Sequence, residues 1–120
     1  MNKTVKIVLA IVTVLAVAAG YFLYKDMYEE TLVCTSEHEG YEVRIYMVGS
    51  PDFPFGNTSC RIKLYSDGSK LREKDVVLLN DGKTATEENF TVSWQKDKVV
   101  ITSHGEEMED YDTEFALKGD

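Results

Sequence analysis

The chain is poor in the residues that most often carry chemistry. Its 120 residues include two cysteines, two histidines, two prolines and one tryptophan. Cys34 and Cys60 lack the Cys-x-x-Cys spacing of a redox site, and with His38 and His104 they form no zinc-ligand pattern. No Gly-x-Ser-x-Gly elbow is present. Ser93-Trp94-Gln95-Lys96 matches Ser-x-x-Lys, but neither Ser-Asp-Asn nor Lys-Thr-Gly accompanies it, and in a strand positions three apart face opposite ways. Basic residues are also scarce, thirteen against twenty-one acidic ones. Lys3 and Lys6 lie at the N-terminus, so the remainder holds eleven basic and all twenty-one acidic residues, a formal charge of −10. A field of that sign repels phosphate backbones and anionic headgroups, which argues against a nucleic acid partner.

What the chain has instead is one long apolar run. Ile7 to Tyr24 is eighteen residues without a charge, IVLAIVTVLAVAAGYFLY. At ~1.5 Å per residue this length just crosses the roughly 30 Å hydrocarbon core of a bilayer. Lys3 and Lys6 precede the run, and Tyr21, Phe22 and Tyr24 gather at its far end, where aromatics favour the headgroup level. The expectation is a signal anchor over residues 1–25, in contact with the lipid bilayer through residues 7–24. It would carry an extracytoplasmic domain over residues 26–120. The competing reading is a cleaved signal peptide with a small-residue site near Ala16-Val17-Ala18 or Ala18-Ala19-Gly20, which would leave the domain secreted. Continuation of the run through Tyr21-Phe22-Leu23-Tyr24 favours the anchor.

After Lys25 the pattern changes to period two. Tyr41, Val43, Ile45 and Met47 alternate with polar neighbours, as do Cys60, Ile62 and Leu64, then Phe90, Val92 and Trp94. Thr31–Ser36, Leu71–Leu79, Lys98–Ser103 and Tyr111–Leu117 complete about seven strands. Gly40, Asp67-Gly68, Asn80-Asp81-Gly82 and Lys96-Asp97 mark the turns between them. The predicted class is all-β, a small antiparallel β-sandwich or partly open barrel behind one N-terminal transmembrane helix. The expected inward set is Val43, Ile45, Ile62, Leu64, Val77, Leu79, Phe90, Val92, Trp94, Val99, Ile101, Phe115 and Leu117.

Four features compete for a function. Strand parity aims both Cys34 and Cys60 inward, and outside the cytoplasm a disulfide between them is chemically allowed. Its 27-residue loop, counting both ends, would be worth about 3.5 kcal/mol in the chain-entropy treatment. The alternative is two buried free thiols. Glu106 to Asp110, with Asp112 and Glu114, is the densest acidic segment. Asp110-x-Asp112-x-Glu114 begins like a calcium loop, but Phe115 stands where that loop needs glycine. Ser50-Pro51-Asp52-Phe53-Pro54-Phe55-Gly56 holds two phenylalanines in a stiff loop. It is the best candidate for docking a partner, and closing one end of the domain is its ordinary role. His38, beside Glu37 and Glu39, and His104, beside Ser103, could each be half of a catalytic dyad, and His104 is the seed of the hydrolytic reading.

No catalytic residue, metal ligand or cofactor-binding residue is assigned, and no cofactor is expected. The functional expectation is a non-enzymatic interaction or accessory module at the cell membrane, with a protein partner at the cell surface. Calcium binding or sensing through residues 106–114 is the alternative, and a surface hydrolase is a remote one.

Overall fold

The computed structural model describes residues 2–50 and 56–117, with the backbone alone for 25–27. The apolar run forms a single helix, α1 (Lys3–Tyr28). Asn2 caps it, its side-chain oxygen accepting the Val5 amide at 2.8 Å. Thr13 donates its hydroxyl to the Leu9 carbonyl four residues back, so this polar group in the middle of the apolar run is satisfied inside the helix. Lys3–Tyr24 is long and apolar enough to cross a membrane, with a mean hydropathy of 2.4, and none of that stretch is buried against protein. A signal sequence would meet the same description.

Beyond α1 the described chain is β-rich. Four strands, β1 (Glu30–His38), β2 (Tyr41–Val48), β3 (Thr58–Ser66) and β4 (Ser69–Leu78), form an antiparallel sheet in sequence order. Three more, β5 (Phe90–Trp94), β6 (Lys98–Ser103) and β7 (Tyr111–Ala116), form a second antiparallel meander. The β1–β2 and β3–β4 hairpins turn on Glu39-Gly40 and Asp67-Gly68. All four residues have positive φ, from 49° to 85°, which is the backbone two-residue hairpins demand and why glycine stands second in each. The two turns touch, the Asp67 amide donating to the Gly40 carbonyl at 3.1 Å.

One buried cluster draws on both sheets. Val43, Ile45, Cys60, Ile62, Leu64 and Leu78 come from the first, and Phe90, Val99, Ile101 and Phe115 from the second. Nearly all the alternating positions face inward as the pattern implies, with Val92 and Trp94 only half-buried against the cluster. Strand β4 departs by one residue. Val76 and Leu78 are buried, while Val77 and Leu79 are 49% and 40% exposed. The cause is pairing: Val76 stands opposite Cys60 and Leu78 opposite Thr58, and residues directly opposite share a face. Four consecutive apolar residues carry no parity of their own, so the neighbouring strand decides.

The direction of the strands sorts the loops into two ends. Glu29 alone separates α1 from β1, and its carbonyl accepts the Gly49 amide at 2.8 Å. The β4–β5 and β6–β7 connections therefore lie at the end where α1 enters, and the β2–β3 connection leaves and rejoins the sheet there. Three hydrogen bonds tie these loops together. Gly82 N–H reaches the Gly56 carbonyl, Glu107 N–H the Leu79 carbonyl, and the Thr58 hydroxyl the Lys83 carbonyl, at 3.1, 2.9 and 2.8 Å.

Candidate functional site

The four sequence candidates fare differently. Phe53 and Phe55 lie outside the described residues, but their loop begins and ends at the helix end of the domain, beside Gly49 and Gly56. Cys34 and Cys60 are both free thiols. Cys34 pairs with Ile45 across the β1–β2 ladder and Cys60 with Met47 across the β2–β3 ladder, so β2 runs between them. Two strand spacings amount to roughly 9–10 Å. A disulfide needs its Cα atoms within ~7 Å, so the bond considered from strand parity is not formed here. Parity aimed both thiols at the core without revealing the intervening strand. Burial pushes the Cys60 thiol up to about 12, with Cys34 adding to the shift. Cys34 is raised as well, by burial and then by the Glu87 charge. Neither carries a ready thiolate.

The acidic segment is dispersed among partners on other elements. Glu106 pairs with Lys83 at 2.6 Å, Asp110 with His104 at 2.9 Å and Glu114 with Lys98 at 2.5 Å. Asp112 accepts the Thr102 hydroxyl at 2.7 Å. Among the described residues no three His, Cys, Asp or Glu side chains converge as a metal site would require.

His38 and His104 sit at opposite ends. His38 stacks on Trp94 with ring centroids 5.5 Å apart, beside Glu39 at 3.7 Å. His104 is the better-held ring. Its neighbour Ser103 is fully buried, so the adjacency that made His104 a hydrolytic seed brings no usable hydroxyl. The hydroxyl beside it belongs instead to Thr91, on the edge strand β5. Thr91 pairs with Thr102 across the ladder, which leaves Thr91 close to the residue two beyond Thr102. His104 Nε2 lies 2.8 Å from Thr91 Oγ1, and His104 Nδ1 lies 2.9 Å from Asp110 Oδ1.

Asn89 fixes the backbone beneath this ring. The Asn89 carbonyl accepts the His104 amide at 2.7 Å, and its side-chain Nδ2 donates to the His104 carbonyl at 2.7 Å. The Asn89 side-chain oxygen is in turn held by the Thr86 amide at 2.9 Å. An open cavity of about 400 Å³ lies beside the ring, lined by Asn80, Lys83, Thr86, Glu88, Asn89 and His104 among others. Gly105 is a forced glycine in its wall. A Cβ there would stand 2.7 Å from the Met108 side chain and 2.8 Å from the Leu79 carbonyl oxygen.

The sequence order of Thr91, His104 and Asp110 gave no signal of their meeting, since thirteen residues separate the first pair and six the second. A hairpin register would have supplied it. No protein-family model, curated protein or solved structure matches this chain.

Proposed function

We propose that this is a single-pass membrane protein that presents an extracytoplasmic β-sandwich as an interaction module to a neighbour at the cell surface. The observation that carries the reading is α1. It is a 22-residue apolar span, none of it buried against protein, followed after four further helical residues and Glu29 by the β domain. An exposed surface of that size is stable only when lipid or protein covers it. The positive residues Lys3 and Lys6 at the N-terminal end of the span favour an inside tail and an outside domain. Confinement at the membrane raises the effective concentration of the domain toward a partner there, so a weak contact suffices. The sandwich reading rests on the single buried cluster shared by both sheets. Two links between the sheets add to it: Trp94 with Ser36, and Lys74 with Tyr111 at 3.0 Å. The loop bearing Phe53 and Phe55 is the proposed docking element.

The test has two readouts. Intact mass of the protein recovered from membranes separates anchor from cleaved signal peptide, and retention after alkaline extraction is expected for the anchor. Cross-linking in membranes then compares the native chain with a Phe53→Ala, Phe55→Ala variant. Loss of the cross-linked partner at an unchanged melting temperature supports the reading, whereas release of the uncleaved chain from membranes by alkali would remove it.

A further inference from the structure

We propose that Thr91 is an activated nucleophile, with His104 as its general base, forming an acyl-transfer site on the outer face of the second sheet. Three elements converge to build it: edge strand β5 supplies Thr91, the residue after β6 supplies His104, and the segment before β7 supplies Asp110. The hydrogen bonds assign the roles. The Asp110 carboxylate can only accept, so the proton of the neutral imidazole resides on Nδ1 and points at Asp110. Nε2 is then the lone-pair nitrogen, and it accepts the Thr91 hydroxyl at 2.8 Å. A hydroxyl donating to a base that a third group orients is the arrangement that activates serine and threonine nucleophiles.

The geometry is held and not merely met. Both backbone polar groups of His104 are bonded to Asn89 at 2.7 Å, which fixes the backbone that carries the ring, while Thr91 and Asp110 hold the ring itself through its two nitrogens. The His104 side chain is 34% exposed and lines the adjacent cavity, and Thr91 is exposed at the sheet edge just outside that lining. Glu88 and Glu106 lie on that cavity wall, with Lys83 paired to Glu106. With Asp110 on the ring as well, the local charge favours a small neutral or cationic ester and repels an anionic one.

The step balances without a cofactor. Thr91 Oγ1 bonds to the acyl carbon while its proton moves to His104 Nε2. The carbon–oxygen bond to the alcohol breaks, and His104 returns the proton to the departing oxygen. Water, deprotonated by the same nitrogen, attacks the acyl-threonine, releasing the carboxylic acid and restoring the hydroxyl. Asp110 is the positioning residue that holds the ring and its tautomer, and Asn89 holds the His104 backbone.

The experiment uses the full chain in detergent with p-nitrophenyl acetate, following nitrophenolate release and mapping the acetylated residue by mass spectrometry. Acetyl on Thr91 is expected, with release above that from an equal concentration of Thr91→Ala. His104→Gln is expected to slow release about 100-fold or more, as loss of a general base does. Thr91→Ser should retain activity, which separates chemistry from folding, and circular dichroism checks that each variant folds. Asp110→Asn should redistribute the ring proton toward Nε2, visible in the imidazole nitrogen shifts, and reduce turnover in parallel. Release equal in native chain, Thr91→Ala and His104→Gln, or acetyl found only on lysines, would overturn the proposal.

Discussion

Trp94 on β5 donates its indole N–H to the hydroxyl of Ser36 on β1 at 2.8 Å, a hydrogen bond between strands of different sheets. Fifty-eight residues separate the two, so the contact exists only when both meanders are folded. Trp94→Phe and Ser36→Ala should each cost about 1 kcal/mol, and the double variant less than their sum. Urea unfolding of the four proteins measures the coupling. Additive losses would show that the bond contributes nothing of its own. As the single tryptophan, Trp94 also reports its own unfolding by fluorescence.

A second set of experiments concerns Glu30, the first residue of β1. Its carboxylate contacts Lys63 at 2.8 Å and Arg61 at 3.1 Å, both from β3, which lies on the far side of β2. The hydrogen bond from Lys63 is the main reason its pKa lies below the ordinary value of 4.5, with Arg61 adding to it. A lowered folded-state value means stability that is present above pH 4.5 and lost as pH falls through the folded pKa. Glu30→Gln should therefore destabilise by about 1 kcal/mol at pH 7 and converge on the native chain as pH falls below the folded-state pKa. Melting curves across that range decide it, and an equal deficit at every pH would exclude the linkage.

The core of the second sheet contains a predicted gain. Ser103 and Thr113 are both fully buried, and neither hydroxyl has a hydrogen-bond partner among the described residues. Thr113→Val keeps the shape and removes the unpaired group, so it should raise stability by about 1 kcal/mol. Thermal unfolding reads this directly. A loss on substitution would mean that the hydroxyl is satisfied in solution.

The thiols predict a reactivity order. Cys60, 1% exposed and with its acidity suppressed by burial, should resist alkylation until the domain unfolds. Cys34, half-buried on the edge strand, should react slowly in the native state. Timed labelling at pH 8 with mass analysis separates them. Mild oxidation should leave both as monomeric free thiols, and an intramolecular bond formed at native stability would require β2 to yield.

The alternating segments made most of the fold legible. Val43 and Ile45 on β2, and Ile62 and Leu64 on β3, declared both strand and face because a period of two leaves one arrangement. Where the pattern is continuous the sequence is silent. Val76 to Leu79 could face either way, and only pairing with Thr58 and Cys60 settles the parity. An irregularity between Leu32 and Cys34 likewise shifts the β1 register in a way no local signal announces. The site was less legible still. His104 was visible as a residue type, but neighbours along a strand point apart, so Ser103 was the wrong hydroxyl. Thr91 and Asp110 become its partners through a hairpin and a loop whose geometry follows from the whole sheet.

The single residue between α1 and β1 makes the length of the helix an angular setting. A helix advances ~100° per residue, so one deletion within α1 turns everything before it by that angle relative to the sheet. The bond from Gly49 to the Glu29 carbonyl leaves little slack to absorb the turn. Insertions or deletions in α1 thus change which side of the helix is in phase with β1, and only changes near whole turns keep that phase.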